Sequence, residues 1–159
     1  MYTLYIDTHS MKLVLALLKD DKILKKIEIN SSEHSKNVVS NIEVLLQEYH
    51  LEVSDLNEII VIIGPGSFTG VRIGVVIAKI ISYTKNISVK PISFLEALSV
   101  SHDEVITLGI KDRNGAFVAT FNENHELLED YVYINNEDLE KYEKNIFYFE
   151  DVDLEKLVI

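Results

Sequence analysis

The residues that could do chemistry are an aspartate at the end of the first predicted strand and five histidines. Asp7 opens the turn Asp7-Thr8-His9-Ser10, which lacks the glycine expected of a phosphate-holding turn. Asp7 could bind a metal ion, but an aspartate that caps its own turn is the more common arrangement. No two histidines have the i, i+4 spacing that would place both on one helix face as metal ligands. The histidines are His9, His34, His50, His102 and His125.

A glycine-rich segment, Gly64–Gly74, could bind phosphate through backbone N–H groups at a helix start. Its sequence is Gly-Pro-Gly-Ser-Phe-Thr-Gly-Val-Arg-Ile-Gly. A Walker A loop would require Gly-Lys-Ser/Thr at its end, and the Rossmann spacing Gly-x-Gly-x-x-Gly is also absent. A structural turn is therefore favoured over a nucleotide loop, and the phosphate-binding reading stays open. The signature loop comprises Gly64, Pro65, Gly66, Ser67, Phe68 and Thr69.

Two polar features near the predicted helix starts are weaker evidence for a functional site. His34 and Ser35 are adjacent, and adjacent helical residues do not face each other, so capping of the helix is favoured over a nucleophile pair. Arg72 is the single cation of the glycine-rich segment. It could pair with a partner's carboxylate, orient the loop or simply be solvated.

The elements that position these residues follow an α/β order. Short strands rich in β-branched and aromatic residues are predicted at 2–8, 13–19 and 23–30, with a tight hairpin at 19–22. A helix from 31 to 50, a buried strand at 58–63, a helix from 70 to 84 and a strand at 87–92 follow. Ser93 and Glu96 have capping-box spacing for a third helix. This order predicts a ribonuclease-H-like domain, the half-unit of actin-like ATPases (the ASKHA fold).

The sequence signals for secondary structure are weaker in the second part of the chain. Strands are expected at 104–110, 116–122, 127–134 and 146–149, and a short helix from about 135 to 143. A boundary near residue 102 gives an N-terminal domain, 1–102, and a reduced C-terminal α/β subdomain, 103–159.

The predicted helix 70–84 has small residues every four positions and is apolar nearly all round. A helix of this kind is buried on more than one side. The small stripe would let another helix approach closely, either the first helix of this chain or one from a partner. Packing within the chain is the equally weighted alternative. The stripe consists of Gly70, Gly74, Ala78 and Ser82.

Charge and composition limit the classes of function. The net charge is −11, of which −9 lies between Glu123 and Ile159. Such a chain is poorly suited to bind the phosphates of a nucleic acid but could dock to a basic protein. The absence of cysteine excludes thiolate metal sites and a cysteine nucleophile. No signal peptide or membrane-length apolar run is found, so a cytoplasmic protein without membrane contact is expected.

The glycine-rich segment resembles the signature of the TsaB (YeaZ) family. Agreeing features are Ile6-Asp7-Thr8, His34-Ser35 and Ser93–Leu98, in that order; Asp112-Arg113-Asn114-Gly115 matches imperfectly. The resemblance covers roughly residues 2–121, and the chain is identified as a shortened member of the family.

The resemblance implies a non-catalytic subunit of the complex that makes tRNA threonylcarbamoyladenosine (t6A). It implies that helices 34–50 and 70–84 bind and activate the catalytic subunit TsaD, that the ATPase TsaE joins the assembly, and that homodimers form through the same helices. Contact with tRNA would be indirect, and no cofactor or metal is expected. The interface residues predicted on this basis are His34, Val38, Ile42, Leu45, Gly70, Arg72, Gly74 and Ala78.

Two other classes of function stay open at this point. One is a nucleotide-dependent or peptidase-like enzyme of the same fold, which would bind or turn over its substrate alone. The other is a self-associating scaffold module. Fold alone does not separate them, because this scaffold carries many activities.

Overall fold

The computed structural model describes residues 1–158, which form two compact units, Met1–Ile92 with Val158 and Ser93–Leu157. The first unit contains strands β1 to β5 and helices α1 and α2. Their bounds are β1 Tyr2–Asp7, β2 Lys12–Lys19, β3 Lys22–Asn30, α1 His34–Glu48, β4 Glu58–Ile62, α2 Phe68–Lys85 and β5 Ser88–Ile92. A short 3₁₀ turn, Val53–Asp55, precedes β4.

The first unit is one five-stranded sheet in the order β3-β2-β1-β4-β5. The first three strands form an antiparallel meander, and β4 and β5 run parallel to β1. This order is that of the ribonuclease-H-like half of an actin-like ATPase, which confirms the predicted fold. The predicted hairpin is also confirmed: Lys19 pairs with Lys22, and Asp20 adopts a positive φ of 55°.

Both long helices pack on the same face of this sheet. Alternate strand residues such as Leu4, Ile6 and Leu15 point to that face, as the two-residue period of a strand requires. α1 contributes Val38, and α2 contributes Ala78, to the same buried cluster. The buried apolar residues of α1 therefore lie on the side of the helix that faces the sheet.

The helix boundaries differ from the predictions by a few residues. α2 begins at Phe68 because the Ser67 hydroxyl caps it, accepting the Gly70 N–H at 3.2 Å. It ends at Lys85, where Asn86 takes a left-handed conformation with a φ of 55°. α1 is shorter than predicted at both ends.

The second unit is a three-stranded antiparallel sheet, β6-β7-β8, with short helices. Its elements are α3 Phe94–Ser99, β6 Ile106–Lys111, β7 Gly115–Phe121, β8 Leu127–Asn135, α4 Asn136–Leu139 and α5 Leu154–Leu157. The Ser93 cap on α3 is confirmed, since its hydroxyl accepts the Glu96 N–H at 3.0 Å. α3 packs against β6 and β7. The second unit therefore begins before α3, whereas the predicted boundary near residue 102 follows it.

Two predictions for this unit are corrected. The strand predicted at 146–149 is reduced to one parallel bridge between Phe147 and Leu108, held by backbone hydrogen bonds to Thr107 and Gly109. The helix expected to reach residue 143 ends at Leu139. α5 was not predicted, because four residues are too few to show a helical period.

A hydrogen bond from Tyr133 on β8 affects the pKa of the Asp112 carboxyl, and this effect can be measured. The Tyr133 hydroxyl donates to Asp112 Oδ1 at 2.7 Å, and this bond, with N–H donors from Asn114 and Gly115, lowers the pKa of the Asp112 carboxyl. A carboxyl whose pKa is lowered by folding contributes stability above its unfolded pKa, and loses it as pH falls through the folded pKa. Tyr133→Phe is expected to raise the Asp112 pKa toward its ordinary value. Carboxyl-carbon NMR titration measures this, and Tyr131→Phe on the same strand should leave the Asp112 pKa unchanged.

Candidate functional site

The turn between β1 and β2, residues 8–11, is the point where the residues singled out by sequence meet. Asp7 precedes it and is 3% exposed. Its Oδ1 accepts the His9 backbone N–H at 3.0 Å and contacts His9 Nδ1 at 2.6 Å, and the Tyr5 hydroxyl donates to Oδ2 at 3.3 Å. Burial, followed by the Asp7 carboxylate, raises the pKa of Tyr5. Asp7 is therefore the turn-capping aspartate that the sequence favoured.

The signature loop packs directly on this turn. The Ser67 N–H donates to the His9 carbonyl at 2.7 Å. A Cβ at Gly66 would lie 2.3 Å from the same oxygen, so only glycine allows the two backbones to approach this closely. The N–H groups of Ser67, Gly70 and Val71 all have acceptors within the chain. Three N–H groups at this turn are thus used within the chain, which favours a structural role for the loop.

α2 continues the close contact with the turn. The Thr8 hydroxyl donates to the Gly70 carbonyl at 2.6 Å. A Cβ at Gly70 would lie 2.2 Å from the Thr8 carbonyl oxygen, and one at Gly74 would lie 2.5 Å from Thr8 Oγ1. The small stripe of α2 therefore faces the chain's own first turn, which confirms the alternative of packing within the chain.

α1 is tied to the same turn by His34. The His34 ring Nε2 donates to the Ser10 carbonyl, while Nδ1 is buried and has no hydrogen-bond partner among residues 1–158. The side chain is 6% exposed. Because the Nε2 proton is donated to the Ser10 carbonyl in the β1–β2 turn, His34 fastens α1 to that turn rather than serving Ser35.

Loss of this bond is expected to loosen the first unit. His34→Leu would leave the Ser10 carbonyl without its donor, and an unsatisfied group of this kind costs about 1–3 kcal/mol. His34→Gln keeps an N–H donor and should lose less stability. Urea denaturation of the three proteins checks this. Equal midpoints for the Leu variant and the unsubstituted protein would show that the bond contributes nothing.

The predicted interface residues lie mostly in the chain's own core. All except Arg72 are buried: His34, Val38, Ile42, Leu45, Gly70, Gly74 and Ala78. Apolar or small residues at helical spacing mark the side of each helix that faces the sheet. Partner binding by α1 and α2 stays a prediction, but the residues available for it are corrected to those on the opposite side.

The outer side of the two helices carries an apolar groove. Its volume is about 460 Å³, and its lining is Ser35, Val39, Thr69, Arg72, Ile73, Val76 and Ile77. Val39 is 52% exposed and Val76 is 50% exposed. Ile80 and Tyr83 extend the exposed apolar row along α2. The sequence of α2 is apolar nearly all round, and this is the signal from which the exposed row could be predicted.

Two further features of residues 1–158 bear on the site. No three His, Asp or Glu side chains in this range are grouped so that they could hold a metal ion. No helix in the described part is long and apolar enough to cross a bilayer.

The fold and these motifs define an actin-like domain whose glycine signature serves structure. Among solved structures, YeaZ from Pseudomonas aeruginosa superposes with a TM-score of 0.75 at 21% identity, covering 87% of this chain and 71% of YeaZ. An activator of 2-hydroxyisocaproyl-CoA dehydratase from Clostridium difficile, solved with bound ADPNP, gives a TM-score of 0.54 at 19% identity. It covers 86% of this chain and 46% of that protein. At these identities both comparisons establish the fold alone.

Sequence comparison establishes the family. Residues 22–144 match the profile of the family described as "TsaD: tRNA N6-adenosine threonylcarbamoyltransferase". The tRNA threonylcarbamoyladenosine biosynthesis protein TsaB of Bacillus subtilis is 36% identical over 102 residues. The chain belongs to this family, on its TsaB (YeaZ) branch. The match covers 64% of this chain and 44% of the Bacillus protein, so the chain spans less than half the length of that relative.

Proposed function

We propose that this chain is a non-catalytic subunit in t6A synthesis. It binds and activates a TsaD-type catalytic subunit through the side of α1 and α2 that carries the groove, where Val39 and Val76 are exposed. The names of the TsaB relatives support the pathway. The family profile that matches the chain, and a threonylcarbamoyltransferase of Fusobacterium nucleatum that is 35% identical over 69 residues, support a TsaD-type partner of related fold.

The observation that carries the proposal is the exposed apolar row on the two helices. Val39, Val76 and Ile80 are each at least half exposed, and Tyr83 is 93% exposed. Exposed apolar residues scattered singly need no explanation, but a contiguous row beside a groove marks an interaction site. A helix pair of a partner would bury this row in the manner of a helix bundle.

A binding role rather than a catalytic one is supported by what the conspicuous polar residues already do. The Asp7 carboxylate holds its own turn, His34 holds α1, and the signature loop donates to the turn. These three features thus hold the first turn and the two helices that pack on it. In this proposal the signature loop acts indirectly, by fixing α2 where its outer face can meet a partner.

The remaining partners are part of the same proposal. A TsaE-type ATPase would join the assembly of the two related subunits. Contact with tRNA would be left to the other subunits, since a net charge of −11 opposes binding to phosphates. Such an assembly would act in the cytoplasm, where its tRNA substrate is found.

Co-expression with the TsaD-type subunit of the same organism, followed by size-exclusion chromatography, tests the proposal. Co-elution of the two chains is expected, and separate elution would overturn it. The alternative, a nucleotide-dependent enzyme, predicts that ATP with magnesium raises the melting temperature of the isolated chain. The binding-subunit proposal predicts no such increase.

A further inference from the structure

The charge of α2 is opposite to that of the protein that carries it. α2 contains Arg72, Lys79 and Lys85 and no aspartate or glutamate, whereas the net charge of the chain is −11. At 3.6 residues per turn, Arg72 and Lys79 share the outer face with Val76 and Tyr83. Lys85 lies at the end of the helix. The outer face is therefore an apolar row flanked by two cations.

These two cations have no carboxylate partner within the described residues. Other lysines of the first unit do: Lys25 pairs with Glu48 at 2.7 Å, and Lys36 with Glu33 at 2.8 Å. No ion pair involves Arg72 or Lys79 anywhere in residues 1–158. The Arg72 guanidinium carbon lies 5.3 Å from the centroid of the Phe68 ring, which holds it beside the groove.

We infer that the partner covers this face with an amphipathic helix that carries carboxylates, and that Arg72 and Lys79 select that partner over a second copy of this chain. The inference rests on the proposed function. Covering the groove removes water from the guanidinium, and a buried cation without a counter-charge is costly. A partner helix that sets carboxylates beside its apolar residues removes this cost and gains charge-assisted hydrogen bonds. Like charges across an interface instead suppress a wrong partner.

The charge of a second copy of this chain fits the outer face of α2 less well than a partner helix that carries carboxylates. Pairing α2 with α2 of another copy would bring its cations against the same cations. Of the two carboxylates on α1, Glu48 is already paired with Lys25, which leaves Glu43. In a homodimer, α1 of each copy would therefore offer one unpaired carboxylate to the cations Arg72 and Lys79.

The test is a double charge reversal, Arg72→Glu with Lys79→Glu, measured by calorimetric titration against the TsaD-type subunit of the same organism. Affinity is expected to fall about tenfold or more, since opposed charges are turned into like charges. Wild-type affinity should also fall between about 50 mM and about 300 mM salt, as screening predicts. The matched control is Lys90→Glu with Lys141→Glu, two exposed lysines that are not part of α2 and give the same change in charge. The control should bind like the wild type, and thermal melts should show that both variants are folded.

A failure of this inference can be distinguished from a failure of the proposed function. Wild-type binding with unchanged affinity in the double reversal would overturn this inference and leave the proposed function standing. A wild-type chain that forms a dimer tighter than its complex with the catalytic subunit, by sedimentation analysis, would also overturn it. No binding by wild type under any salt condition would remove the proposed function itself.

Discussion

Alanine at Gly70 is expected to lower the free energy of unfolding by about 2 kcal/mol or more, because overpacking of a tight contact commonly costs about 1–3 kcal/mol. The new Cβ would lie 2.2 Å from the Thr8 carbonyl oxygen, a backbone atom that moves only with the turn. The higher helix propensity of alanine would stabilise α2 by about 1 kcal/mol at most. The steric clash is larger than this gain, so the net change is destabilising. Denaturant unfolding of the purified variant measures the change.

Gly74→Ala provides the control, since its clash is with a side chain. The Cβ there would lie 2.5 Å from Thr8 Oγ1. Thr8→Ala removes that atom and should reduce the cost of Gly74→Ala, giving a favourable coupling in a double-mutant cycle. The same Thr8 substitution should not rescue Gly70→Ala. A Gly70→Ala variant as stable as wild type would contradict the close approach of α2 to the turn.

Aspartate at Val76 is expected to weaken binding to the catalytic subunit by about a hundredfold, the loss typical of a central interface residue. Val76 is 50% exposed and lines the groove, so a carboxylate would interrupt the apolar row without entering the core. Surface substitutions of this kind usually change stability by no more than about 0.5 kcal/mol. Surface plasmon resonance measures the affinity, with thermal melts as the folding check.

Val44→Asp is the matched control for this variant. Val44 lies on α1, is 55% exposed, and does not line the groove. The two substitutions introduce the same charge at similar exposure on the two helices. We expect Val44→Asp to bind within about threefold of wild type, as for contacts outside a hot spot. Equal losses in both variants would mean that the groove has no special part in binding.

The fold of the first unit could be predicted from sequence because local signals agreed there. The apolar, β-branched and aromatic residues of β1 and β2 and the hairpin at Lys19–Lys22 are signals that each act over a few residues. The second unit gave weaker signals. The residues 146–149 look like a strand, yet Phe147 forms a single bridge, because strand pairing depends on a neighbour far away in the chain.

The site could be predicted only in part, and the orientation of α2 shows why. Small residues at Gly70 and Gly74 signal close packing but not what packs there. The answer is a contact with Thr8, which lies 62 residues before Gly70, so no local pattern contains it. The exposed apolar row of α2 can be recognised only once the structure shows which side of the helix faces the core. Val76 and Ile80 were visible in the sequence, but they looked the same as core residues.

Reconstituted t6A formation tests the central claim most directly. The rate is measured with tRNA, ATP, an ATP-derived threonylcarbamoyl donor, the TsaD-type subunit and the TsaE-type ATPase. Reactions are run with and without this chain and with its Val76→Asp and Val44→Asp variants. We predict product only when this chain or Val44→Asp is present, and little with Val76→Asp. Product formed at the same rate without this chain, or equally well with Val76→Asp, would contradict the account.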